Sequence, residues 1–170
     1  LAKTLFPLNR SLTGSGVRKT LNIIRSKVPL KKKSFPSGKK VYDWVIPKEW
    51  EIKDGYILDL KTKKKFADFK KHNLHIVGYS EPKNEIISFE KLKKHIFFKK
   101  KNRKAIPYVT SYYKKNWGFC LSKMDFDKMK KNKYKILINS KFFNGKMDYG
   151  EILLKGKSKK EILFTTYICH

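Results

Sequence analysis

The chain has 170 residues, 42 of them lysine or arginine against 14 aspartate or glutamate, for a formal charge of +28. At 40% apolar and 14% aromatic it can bury a core, which excludes intrinsic disorder, a state that needs low hydrophobicity together with high charge. The charge does not by itself establish a nucleic-acid partner. Only Arg10, Arg18, Arg25 and Arg103 carry the planar fork suited to phosphate and guanine, whereas lysine is spread through every segment, as in Lys31 to Lys33, Lys63 to Lys65 and Lys99 to Lys101.

Leu5-Phe6-Pro7-Leu8 opens the chain as an apolar stretch interrupted by proline, and Asn9 to Gly16, rich in Ser, Thr and Gly, leads into a helix expected over Val17 to Lys27. Val17, Leu21 and Ile24 fall on one face at helical spacing, and Pro29 ends the run. Lys31 to Gly38, closing on Pro36-Ser37-Gly38, reads as a loop or linker and marks a boundary. Beyond it the texture is strand-like. Val41 to Ile46, Trp50 to Ile52, Tyr56 to Leu60 and Leu74 to Tyr79 are short apolar or alternating segments between turn residues. Ser88 is placed to cap a short helix over Phe89 to Phe98, Ile106 to Tyr113 and Trp117 to Leu121 read as extended, and Ser122 is placed to cap a second short helix through Met129. Tyr134 to Ser140 and Met147 to Leu154 flank Asn144-Gly145, a dipeptide that tolerates the positive φ angles of a type I′ turn, so a tight hairpin is expected there. Glu161 to His170 is a nearly continuous run of β-branched and aromatic residues, the pattern of a strand buried on both faces of a parallel sheet. A different domain's sheet is expected to begin at that point.

Two cysteines, Cys120 and Cys169, make no disulfide framework and fit a reducing compartment, so the cytoplasm is the expected location. No stretch approaches the roughly 18 apolar residues of a membrane span, and no basic-then-apolar leader opens the chain. Leu1 stands where an initiator methionine would, and a longer protein is expected around the chain.

Gly14-Ser15-Gly16 before a helix suggests a phosphate cradle, but it lacks the spacing to a Gly-Lys-Ser/Thr and a preceding strand, and reads as a turn into a helix cap. His72 and His75 would share a helical face but oppose each other on a strand, and each reads as an ordinary polar or half-buried histidine. His95 shows no partner in the sequence. Tyr42-Asp43-Trp44 with Pro47-Lys48-Glu49-Trp50 offers either a stacking surface for sugar or nucleotide rings or core packing of Trp44 and Trp50, of which packing is expected. Nothing fixes Asp43 and Glu49 as a paired acid and base. His170 stands apart by position: ligands in open α/β sheets gather beyond the carboxyl ends of the strands, and a neutral imidazole there is a natural zinc ligand.

Six ordered blocks carry a resemblance over essentially the whole chain: Leu5 to Gly14, Val41 to Trp50, Asn73 to Ser80, Ile106 to Tyr113, Trp117 to Ser122 and Thr165 to His170. Together they resemble the bacterial and archaeal aminopeptidase-like family of formally unknown function that is often associated with surface-polysaccharide biosynthesis loci. The resemblance implies an α/β fold: the start of a zinc aminopeptidase-like parallel or mixed sheet domain carrying an inserted β-rich (α+β) subdomain. It implies residues 1–35 as the amino-terminal helix of the aminopeptidase-like domain, 36–151 as the insertion, and 152–170 as the first buried strands of the truncated catalytic domain. A carboxyl-terminal winged helix is expected in the full-length protein.

It further implies His170 as a metal ligand and zinc, two ions in the full-length protein, as cofactor. The other ligands and the general base are expected beyond residue 170, so catalytic residues stay unassigned and the 170-residue chain alone is expected to be inactive. Such metals lower the pKa of a bridging water and polarise a scissile carbonyl. The expected substrate is a small peptide or amide. The residues alone leave a second reading open, a non-enzymatic basic module contacting nucleic acid or anionic polysaccharide.

Overall fold

The computed structural model describes residues 1–168, which form helices and several small sheets in two units, one from Leu1–Glu49 with the chain from Phe143 onward, the other from Trp50–Phe142.

In the first unit, helices α1 (Ala2–Leu5) and α2 (Ser15–Arg25) precede a ribbon of strands β1 (Lys31–Pro36) and β10 (Lys146–Glu151), with the short pair β2 (Lys40–Val41) and β3 (Trp44–Val45) between them in sequence. Helix α2 begins after Gly14, whose φ of 105° suits glycine, and it buries Val17 and Leu21 one turn apart against Leu30, with Ile24 alongside. The loop expected over Lys31 to Gly38 is a strand in its first six residues, paired antiparallel from Lys31↔Glu151 to Pro36↔Lys146. Cross-strand partners decide its state more than its own lysine-rich composition does. Phe35 stacks on Tyr149 at 5.7 Å, and Lys33 pairs with Glu151 at 2.5 Å.

The second unit centres on a four-stranded sheet in the order β5 (Lys65–Asp68), β4 (Glu49–Asp59), β9 (Lys133–Phe143), β6 (Lys83–Ser88). Strand β9 alternates, with Tyr134, Ile136 and Ile138 turned to the core, and β6 runs antiparallel beside it from Lys83↔Ile138 to Ser88↔Lys133. The turn after β4 is held by Asp59, which accepts from the Lys61 and Thr62 amides at 2.8 and 3.2 Å and from Asn132 Nδ2 at 2.9 Å. Burial works to raise the Asp59 pKa, but these hydrogen bonds outweigh it and hold the carboxyl below its ordinary value.

Ser88 leads into helix α3 (Phe89–Leu92), which ends sooner than expected. A 3-10 turn over Lys93–His95 follows, because Ile96 and Phe97 form strand β7 (Ile96–Phe97) beside the parallel strand β8 (Phe119–Cys120). Helix α4 (Lys123–Asp127) is capped as expected: Ser122 Oγ accepts from the Asp125 amide at 3.0 Å.

One expectation fails. Asn144-Gly145 does not close a hairpin. It joins β9 to β10, which pair with different strands, and neither residue has a positive φ angle. The dipeptide permits a type I′ turn, but β10 is paired with β1, and without a β9–β10 pairing nothing calls for that turn. Of the strand expected over Glu161 to His170, positions 169 and 170 lie outside the described residues. Residues 161–168 have no regular structure, and Ile162, Leu163, Phe164 and Tyr167 are each more than 80% exposed. A parallel strand is buried only between neighbours supplied by crossover connections, and among the described residues no strand lies beside this one. No described helix is long and apolar enough to cross a membrane.

Candidate functional site

His170, the expected metal ligand, lies outside the described residues, as does Cys169. Among the described residues no three His, Cys, Asp or Glu side chains stand together in a way that could hold a metal ion. The described residues therefore offer no ligand set for the expected zinc.

In the first unit a charged cluster joins helix to ribbon. Arg18, one turn into α2, donates through one terminal nitrogen to Glu49 and through the other to Asp148 at 3.3 Å. Glu49 also accepts from the Lys146 amide at 3.1 Å, and Asp148 accepts from Ser34 Oγ at 2.6 Å. The Glu49 and Asp148 side chains are almost fully buried, whereas Arg18 is 29% exposed. The hydrogen bond to Glu49 is the main reason that the guanidinium holds its proton above the ordinary arginine value. With both carboxylates ion-paired to one guanidinium and hydrogen-bonded to further donors, the cluster clamps structure.

Gly145 sits against that clamp. A Cβ there would collide with the Glu49 carboxylate and lie 2.8 Å from its Cβ, so the position needs glycine for closeness of approach, not for a left-handed turn. Gly145→Val is expected to lower stability by about 1–3 kcal/mol, the usual cost of overpacking. A urea midpoint equal to that of the parent protein would contradict this.

In the second unit the two neighbouring histidines do meet. His72 precedes a 3-10 turn over Asn73–His75 that is closed by the His75 amide donating to the His72 carbonyl at 3.1 Å, and the two rings stand edge to face at 5.9 Å. His72 Nδ1 accepts from the Leu74 amide at 3.2 Å. His75 Nδ1 lies 2.8 Å from the Cys120 carbonyl, which can only accept, so that nitrogen carries the proton. Burial lowers the pKa of both rings, against the Cys120 hydrogen bond in the case of His75.

A histidine whose folded pKa is depressed contributes stability that is full above its unfolded value and lost as pH falls toward the folded one. The melting temperature is therefore expected to fall as pH drops through about 6.5, the ordinary imidazole value, and His75→Gln should flatten that slope. An unchanged slope in the variant would contradict the assignment.

His95, without a visible partner in the sequence, stacks on Trp117 at 3.7 Å and sits 3.1 Å from the Trp117 carbonyl through Nδ1. Burial pushes the Cys120 thiol up to about 12, so it stays protonated and is no nucleophile at neutral pH.

Trp50 belongs to the core, as expected, while Trp44 is half-buried and Tyr42 fully exposed. Trp50 Nε1 donates to the Ser80 carbonyl at 3.0 Å and its ring stacks on Tyr79 at 5.7 Å. Tyr79 has a φ of 64°, a left-handed conformation that costs a non-glycine residue roughly 1–2 kcal/mol. Its ring is met edge-on by Tyr112 at 5.0 Å and by Phe142 at 5.9 Å. No sequence signal marked Tyr79, because neither strain nor a cluster assembled from four distant segments shows in local spacing.

Residues 49–141 match the domain of unknown function DUF2172. All 170 residues align at 45% identity with a Clostridium acetobutylicum protein named "Putative polysaccharide biosynthesis protein with aminopeptidase-like domain", of which this chain spans 39%. A crystal structure of a "putative peptidase" from the same organism superposes with a TM-score of 0.82 at 44% identity, covering 87% of this chain and 35% of that one. The chain thus spans well under half the length of these relatives.

Proposed function

The chain belongs to the family defined by DUF2172, and from that premise we propose that it is the amino-terminal part of a zinc-dependent aminopeptidase-like hydrolase that cleaves a peptide or amide bond in surface-polysaccharide metabolism. The observation that carries this reading is the alignment, at 45% identity over all 170 residues, with a relative named for an aminopeptidase-like domain and for polysaccharide biosynthesis. In this reading Trp50–Phe142 is the inserted body. That unit lies within the 36–151 that the resemblance implies, while β1 and β10 pair with each other inside the unit that holds α2.

Residues 152–170 are proposed to begin the catalytic sheet. Their exposed apolar run supports this, because a segment with two apolar faces gains stability only between neighbouring layers. Cys120 as a buried free thiol supports a reducing, cytoplasmic setting. His170 is proposed as the first zinc ligand, completed by groups beyond it. When bound, zinc would supply Lewis-acid chemistry to the scissile carbonyl. Replacing His170 with Ala in the full-length protein should lower bound zinc with an unchanged circular dichroism spectrum, since one ligand is lost while the strand's apolar residues remain. Full zinc occupancy in a well-folded variant would overturn the assignment.

A further inference from the structure

The second unit presents an exposed aromatic face. Tyr113 is 80% exposed, and Tyr108 and Phe142 are more than a third exposed. These rings rest on a fixed base. Tyr112 meets Tyr113 edge-on at 6.3 Å and Tyr79 at 5.0 Å, Tyr79 also meets Phe142, and Trp50 backs Tyr79 from inside.

The loop that carries the tyrosines is pinned by its backbone. The Gly78 amide donates to the Val109 carbonyl and the Ser111 amide to the Gly78 carbonyl, each at 2.9 Å, and Ser111 Oγ donates to the Lys114 carbonyl at 2.7 Å. The Tyr108 and Tyr112 hydroxyls share a hydrogen bond at 3.1 Å, which orients both phenols. Lys114 and Lys115, both exposed, follow Tyr113 directly. Tyr79 holds a left-handed backbone at the centre of the cluster, and strain of that kind is retained where the surroundings over-determine a functional geometry.

We propose that this face, built on Tyr108, Tyr112 and Tyr113 with Lys114 and Lys115, binds an acidic glycan. Phenol rings offer an apolar face to the C–H side of a pyranose and hydroxyls to its rim, a combination that an aliphatic protein-docking patch lacks. The adjacent lysines complement a carboxylate-bearing sugar, and the net charge of +28 draws such a ligand in. The choice of a glycan leans on the proposed role in polysaccharide metabolism, but binding is measured independently of hydrolysis, so either idea can fail without the other.

The test is fluorescence titration of the full-length protein with a hexagalacturonate oligosaccharide, with neutral maltohexaose and oligo(dT) as comparisons. Saturable hexagalacturonate binding, weakened at least tenfold by Tyr113→Ala and by Tyr108→Ala at unchanged melting temperature, is expected. Lys114→Ala with Lys115→Ala should weaken it and reduce its salt dependence. Equal or tighter binding of oligo(dT) would overturn the proposal in favour of a stacking nucleic-acid surface. Tyrosine variants that bind as the parent does would reduce the effect to bulk charge and also overturn it. Variants that lower the melting temperature without changing binding would instead make the face an internal packing surface.

Discussion

Replacing Arg18 with alanine is expected to destabilise the protein by about 3 kcal/mol, the low end of the range for breaking a buried ion pair from one side. The physical reason is asymmetry. Glu49 and Asp148 stay buried after the change, each having lost its guanidinium partner; the Lys146 amide and Ser34 hydroxyl satisfy only part of their oxygens, and the Lys146 ammonium, 3.9 Å from Asp148, offsets only part of the charge. The low end applies because Arg18 itself is 29% exposed, so solvent screens part of the attraction. The loss should appear as a lower urea midpoint with an unchanged slope. A variant that also carries Glu49→Gln and Asp148→Asn should recover much of the loss, since it removes the orphaned charges. If Arg18→Ala unfolds at the parent midpoint, the clamp contributes nothing and α2 is held by the apolar packing of Val17, Leu21 and Leu30 with Ile24 and Ile168.

The clamp shows where sequence reading ends. Helix α2 was legible because Val17, Leu21 and Ile24 repeat at helical spacing, and the Ser122 cap because a hydroxyl before an acidic turn is a local signal. Arg18, Glu49 and Asp148 are 31 and 99 residues apart along the chain, and no periodicity links them. Glu49 was visible only as a carboxylate without a fixed partner. Asn144-Gly145 misled for a related reason: local turn chemistry states what the backbone can do, whereas the pairing of β10 with β1, more than a hundred residues away, decided what it does.

The strand expected over Glu161 to His170 was a sound reading of composition, but composition describes an environment that neighbouring strands must supply. The same limit applies to His72 and His75, whose meeting depended on a 3-10 turn that lies between the two alternatives of helix and strand. Family resemblance reached further than local physics here. It drew on six blocks at once, and the match to residues 49–141 together with the alignment over all 170 residues of this chain bears it out.

The most direct test of the central claim compares the full-length protein with this 170-residue chain in chelator-sensitive hydrolysis of an amino-acid amide such as leucine p-nitroanilide, with zinc content measured alongside. A catalytic zinc needs about three protein ligands, and His170 is the single one proposed in this chain. The full-length protein is therefore predicted to bind zinc and turn over the amide, losing activity with a chelator, while the shorter chain shows neither property. Zinc-dependent turnover by the 170-residue chain alone would contradict the account, as would a well-folded full-length protein that binds no zinc.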